Sequence, residues 1–315
     1  GADIISIDAF RRSLNGHDFV VGITFVKTDK ENTEMTNEKG DNTEKSVIEH
    51  YYFNIYASQV TLNDFDLEHI ARKKLNKRFQ FIIILIKNEC FYFSEDCQTL
   101  EIDFVPYQLY HTQYVLHNKE IVWILSGSDC CAHIFREDKE KQCFYEESVL
   151  TYFPELSELP SIGMWIDIFN LETTDGIKRI TAVGCENGIV QLTVVEFDSE
   201  TNKHIITDLW KIEYDGPVLS VRLFTDQSES VLKTTEFKEK LTKALSLVIE
   251  SDKSVNLLVV NSIESSVVYR DVLINGLAKR LILPMSKRCD CTITSCIADI
   301  DMDGNNEIAI GTYGH

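Results

Sequence analysis

Asp299-Ile300-Asp301-Met302-Asp303-Gly304-Asn305-Asn306-Glu307-Ile308, followed at once by Ala309-Ile310-Gly311-Thr312-Tyr313-Gly314, is the stretch on which the fold turns. Oxygen-bearing side chains stand on alternate residues, and a glycine follows the third of them. Carboxylates at positions 1, 3 and 5 of a tight loop can point inward together at a hard cation, while the glycine lets the backbone reverse. An EF-hand would continue to a bidentate Glu at its twelfth position, where this chain has Ile310 and then more apolar residues instead of an exiting helix. The stretch therefore reads as an acidic turn between two β-strands, Thr292 to Ile300 and Glu307 to Thr312. Its ligand set for Ca²⁺ or Mg²⁺ would be Asp299, Asp301, Asp303, Asn305 through its carbonyl, and Glu307; the alternative is Asx-type hydrogen bonding of the turn to itself.

Working outward, the same pattern recurs. Leu125-Ser126-Gly127, Ala182-Val183-Gly184 and Ala309-Ile310-Gly311 each end an apolar strand in a glycine. The first two glycines are 57 residues apart, longer than the roughly 40–50 of familiar propeller repeats. Apolar runs fill the intervals: 100–105, 108–115, 121–128 and 132–135, then 164–169, 180–185, 189–197 and 205–214, then 216–224, 244–249, 256–261 and 266–271. Glu186-Asn187-Gly188 marks a turn between two of them. At the N-terminal end, the β-branched and aromatic runs 3–10 and 19–26 flank Asn15-Gly16, a hairpin signal, and Tyr51 to Ala57 adds a third strand.

Repeated four-stranded sheets with few helices favour an all-β β-propeller over a sandwich. The expected organisation is one propeller region over 1–315, with blades or part-blades at about 1–105, 106–160, 161–215 and 216–288, and the start of a truncated blade at 289–315. The full-length protein is expected to have seven blades, so the chain reads as a fragment, as does its first residue, Gly1. Lys27 to Ser46 is almost wholly polar and reads as a flexible loop. Asn63 or Asp64 can cap a short helix through Leu75. Arg72 to Glu95, basic and then Phe/Ile-rich, reads as an atypical insertion.

Composition removes several function classes. With 50 acidic against 31 basic residues the formal net charge is −19, which disfavours binding to duplex nucleic acid or adhesion to anionic lipid. The nine cysteines, at 90, 97, 130, 131, 143, 185, 289, 291 and 296, are odd in number and unpaired in spacing, as in reduced cytosolic proteins. None of the 17 asparagines begins an Asn-x-Ser/Thr sequon, which leans against a secreted glycoprotein. The longest apolar run, Phe81 to Ile86, is far short of the roughly 20 residues that span a bilayer. Membrane association would come through a partner.

No nucleotide-binding loop, nucleophile elbow or HExxH helix is present, and Ser126-Gly127-Ser128-Asp129 reads as a turn, so no catalytic residue is assigned. Cys289, Cys291 and Cys296 lack the paired spacing of a zinc site and read as packed thiols. His111 and His117 have no carboxylate or cysteine partner at useful spacing. Tyr269-Arg270-Asp271 sets an aromatic beside a charge pair and would anchor a protein partner if it lies on an outer strand; an interblade contact is the alternative.

The ordered segments Ala2 to Phe10 with Val20 to Phe25, Phe104 to Leu109, Leu125 to Asp129 with His133-Ile134-Phe135, Phe153 to Leu156, Val267 to Leu273 with Gly276-Leu277, and Asp299 to Gly304 with Thr312-Tyr313-Gly314 resemble the kaptin family. That family comprises β-propeller-like subunits of the KICSTOR complex with integrin-like, FG-GAP-like repeats. The resemblance implies a non-enzymatic scaffold with no required cofactor. Its partners would be other KICSTOR subunits, above all an integrin-repeat-like propeller, and indirectly the GATOR inhibitor, which is brought to the lysosomal surface to restrain TOR signalling on nutrient loss. It also implies an association with actin at cell edges. An actin-filament protein and a Ca²⁺-dependent integrin-like adhesion module are the alternative functions.

Overall fold

The computed structural model describes residues 2–11, 19–30, 47–57, 97–114, 120–141, 143–173, 176–198, 203–227, 254–284, 286, 288 and 290–313. Four four-stranded antiparallel sheets follow one another along the chain. The first is β1 (Ala2–Arg11), β2 (Phe19–Lys30), β3 (Val47–Ala57) and β4 (Cys97–Ile102); the second is β5 (Pro106–Tyr114), β6 (Glu120–Gly127), β7 (Ala132–Asp138) and β8 (Cys143–Glu147). The third is β9 (Gly163–Thr173), β10 (Gly176–Cys185), β11 (Ile189–Asp198) and β12 (Lys203–Glu213); the fourth is β13 (Val218–Thr225), β14 (Val255–Asn261), β15 (Val267–Tyr269) and β16 (Arg280–Ile282). A two-stranded sheet, β17 (Thr292–Ala298) and β18 (Glu307–Thr312), ends the series. In every sheet the spatial order is the sequence order, the meander of a propeller blade. The chain is an all-β, partial β-propeller, and among the described residues its α-helices are single turns, α1 (Val149–Tyr152) and α2 (Val272–Asn275).

Position within a blade explains the sequence of each strand. Inner members such as Val122 to Gly127 of β6 and all of β14 are buried on both faces, and their middles, Val122 to Leu125 and Leu257 to Val260, read as unbroken apolar runs. The strand-terminal glycines are set by close approach: a Cβ on Gly184 would stand 2.5 Å from Val218 Cγ1, and one on Gly127 2.6 Å from Phe104 Cδ2. Arg11 pairs with Phe19, as the hairpin reading requires, although Asn15-Gly16 itself lies outside the described residues.

Lys27 to Lys30, expected to open the polar loop, instead extend β2 and pair with β3 as far as Lys30 opposite Val47. Cross-strand pairing takes up polar residues that have no place in a core. The rest of that loop, the helix expected up to Leu75, the insertion 72–95, the run 244–249, His117, Cys90 and Cys289 lie outside the described residues.

The chain divides into two compact units, one of residues 1–129 and 133–147, the other of 130–132 and 148–315. The first has an aromatic core in which Phe53 meets Trp123 edge-on at 6.0 Å and Phe135 at 5.2 Å, with Phe10, Leu109 and Leu125 around them. The second is built on Ile180, Leu192, Val221, Leu257, Val259 and Tyr269. A smaller cluster, Phe224, Leu258, Val260 and Val268, packs against Ile297, Ile308 and Ile310 of the β17–β18 hairpin. No helix among the described residues is long and apolar enough to cross a membrane.

Candidate functional site

The acidic turn joins β17 to β18, with Ala298 opposite Glu307 as the last pair of the ladder. Met302 and Gly304 take positive φ, 64° and 95°, and fold the eight residues between Ala298 and Glu307 back on themselves. Backbone amides fill much of the carboxylate capacity: Ile300 N–H donates to Glu307 Oε2 at 2.7 Å, Gly304 N–H to Asp299 Oδ2 at 3.1 Å and Asp303 N–H to Asp301 Oδ1 at 3.1 Å. Asn306 ties the turn to the end of β13, its amide N–H donating to Asp226 O at 2.8 Å and its side chain to Thr225 O at 2.9 Å.

Of the five expected ligands, three come together. Ligand oxygens of Asp299, Asp301 and Glu307 lie within 4.8 Å of one another. Asp303 belongs to a separate Asx turn, accepting from the Asn305 backbone at 2.8 Å and from Asn305 Nδ2 at 3.0 Å. Asp299 Oδ1 is buried without a hydrogen-bond partner, and hard oxygen donors of this kind suit Ca²⁺ or Mg²⁺. The residues present thus fit a hard cation at Asp299, Asp301 and Glu307, while Asp303 and Asn305 are turned to each other.

The second expected site separates in space. Tyr269 is on β15, a third strand and not an outer one, and is fully buried. Its hydroxyl meets that of Tyr214 at 2.6 Å, a contact between consecutive blades, so it is a core residue and not an exposed anchor. Burial pushes the pKa of both hydroxyls up from 10.0. Arg270 and Asp271 remain near the surface, Arg270 Nη2 on Asp226 Oδ2 at 3.1 Å and Asp271 3.8 Å from Lys279 Nζ. Asp271 takes φ 53° and accepts from the Ser254 hydroxyl.

Two carboxylates on first strands carry structural work that local spacing could not reveal. Asp8 Oδ2 on β1 accepts from the His111 backbone N–H at 2.7 Å and faces His111 Nδ1 at 2.7 Å. His111, expected to lack a carboxylate partner, has one 103 residues away. In the other unit, Asp167 Oδ2 on β9 accepts from Leu223 N–H at 2.6 Å on β13. The signal was present as Ile7-Asp8-Ala9-Phe10 and Ile166-Asp167-Ile168-Phe169, one tetrapeptide pattern in two blades, each carboxylate bonding the first strand of the next. Cys291 and Cys296 join no metal-ligand group among the described residues.

A family model described as KICSTOR complex protein kaptin matches residues 1–92 and 87–315. The mouse protein named KICSTOR complex protein kaptin is 30% identical over 314 residues, which are 99% of this chain and 59% of that protein. The chain therefore spans somewhat more than half the length of that relative. Two crystal structures of BBS1N in complex with ARL6DN, soaked with lead and with mercury, align with 94% of this chain and with 84% and 83% of theirs. Both are 8% identical with TM-scores of 0.33 and 0.34, likenesses too loose to carry an argument.

Proposed function

Because the chain belongs to the kaptin family, we propose that it is a non-enzymatic scaffold subunit of a KICSTOR-like complex. The observation that carries this reading is the family match, which runs from residue 1 to residue 315. Meander blades support it physically, since they present loop faces and strand edges to partners while their polar first-strand groups are used in joining blade to blade.

In this reading the protein works with other KICSTOR subunits, among them an integrin-repeat-like propeller, to bring the GATOR inhibitor to lysosomes and restrain TOR signalling when nutrients fall. The scaffold needs no cofactor, and a cation at Asp299, Asp301 and Glu307 would serve only to hold the β17–β18 turn. The test is genetic. Cells without the protein should keep TOR active after amino-acid withdrawal and regain shut-off when it is restored; normal shut-off in its absence would reject the proposal.

A second reading, association with actin filaments, meets the net charge of −19, which repels another acidic polymer. Cosedimentation with filaments at physiological salt would favour it. A secreted Ca²⁺-dependent adhesion module is disfavoured by the cysteines, nine in number and without paired spacing.

A further inference from the structure

The last strands of the four blades are not alike. β4, β8 and β16 have 6, 5 and 3 residues, whereas β12 has 11. β12 ends its sheet, and no described strand lies beyond Ile205 to Trp210 on its outer side. It also exposes large apolar side chains: Ile205 is 48%, Ile206 40% and Leu209 51% accessible. A long, apolar, unpaired edge is a template for another strand.

The pairing of β12 with β11 fixes which faces those side chains take. Val194 is opposite Asp208 and Val195 opposite Ile206, which leaves Thr207 as the extra residue of a bulge. Ile206 and Leu209 thereby share the face of Val195 and Thr193, while Ile205 and Trp210 share the face of Glu196 and Leu192. The bulge makes the strand complementary to itself. When two copies run antiparallel about a two-fold axis, Ile206 can lie opposite the second copy's Leu209 on one face. Ile205 then lies opposite its Trp210 on the other, and each pair occurs twice.

Charge is also compatible with self-association. Lys203 and Lys211 balance Asp208 and Glu213 along the strand, in a chain whose net charge is −19. The edge is thus a neutral strip on an acidic molecule, without the like-charge repulsion that other surfaces of a second copy would bring. We propose that β12 pairs edge to edge with β12 of a second copy, joining two blades into one continuous sheet.

Sedimentation equilibrium of the intact protein across a hundredfold concentration range tests this. A reversible monomer–dimer equilibrium is expected, abolished by Ile206→Lys and unchanged by Ile282→Lys, a residue on β16 that is also 40% accessible. The register is tested by cysteine pairs. Oxidised Ile206→Cys/Leu209→Cys should run as a disulfide-linked dimer beyond the level of the parent, whereas Ile205→Cys/Leu209→Cys, with its thiols on opposite faces, should not. A protein monomeric throughout, a dimer indifferent to Ile206→Lys, or equal cross-linking by both cysteine pairs overturns the proposal. If Ile206→Lys fails to fold, the cysteine pairs decide.

Discussion

Arg179 grips Glu155 side-on, Nε on Oε1 at 2.7 Å and Nη2 on Oε2 at 3.0 Å, with the Glu155 side chain 0% and the Arg179 side chain 8% accessible. Thr181 Oγ1 donates to Glu155 Oε1 at 2.9 Å, Gln191 Nε2 donates to the Glu155 carbonyl at 3.2 Å, and the guanidinium lies 4.3 Å above the Phe153 ring. The pair fastens the helical segment 149–156 onto the third blade. Removing one partner leaves a buried charge, a cost of about 3–5 kcal/mol. Arg179→Met should lower unfolding stability by about that amount in a denaturant titration. Arg179→Met with Glu155→Met should recover much of the loss, because the double variant buries no charge.

Gly188 is confined by its backbone and by its neighbour. Its φ is 88°, and a Cβ there would stand 2.2 Å from the Tyr214 carbonyl oxygen. Gly188→Ala must strain the β10–β11 turn or push away the chain after β12, at a cost of about 2 kcal/mol or more. Thermal melts should show the loss, while Gly216→Ala should cost less, because the atoms nearest its Cβ are the Ile263 and Ser262 side chains, which can move.

Alkaline stability follows from buried acids held neutral. Burial pushes the Cys185 thiol from 9.0 up to about 11, and raises Tyr214 and Tyr269 above 10.0. A raised folded pKa means the stability is fully present below the unfolded value and is lost as pH climbs towards the folded one. Unfolding free energy should therefore fall from about pH 9 upward, by about 2 kcal/mol for Cys185 by pH 11. Cys185→Ala should show a shallower decline over the same window in denaturant titrations at stepped pH.

The acidic turn should respond to both chelation and charge. Without a cation, the carboxylates of Asp299, Asp301 and Glu307, within 4.8 Å of one another, repel. Asp301→Asn keeps the oxygen that accepts the Asp303 N–H and removes one charge, so in EDTA it should melt above the parent. Millimolar calcium should raise the parent to meet or pass it. Calorimetry without calcium heat, together with identical melting in both conditions, would show that the turn is held by its own hydrogen bonds.

Strand identity was legible because burial writes itself into the sequence. Val122 to Leu125 and Leu257 to Val260 are covered on both faces and read as continuous apolar runs. The turn 299–307 was legible as a hairpin loop, and three of its five expected ligands converge. What stayed hidden depends on distant pairing. Tyr269 looks like a surface anchor beside Arg270 and Asp271 until Tyr214, 55 residues away, claims its hydroxyl. His111 looks unpartnered until β5 lies against β1 and brings Asp8 to it. The polar start of 27–46 is strand only because β3 is there to pair with it.

The scaffold role proposed for this chain requires that it hold other proteins together. Affinity purification of the tagged full-length protein from nutrient-starved cells, followed by mass spectrometry, tests it most directly. Recovery of KICSTOR subunits in near-stoichiometric amounts, with GATOR components in smaller quantity, is the expected result. Preparations that repeatedly contain none of them, or that contain only actin, would contradict it.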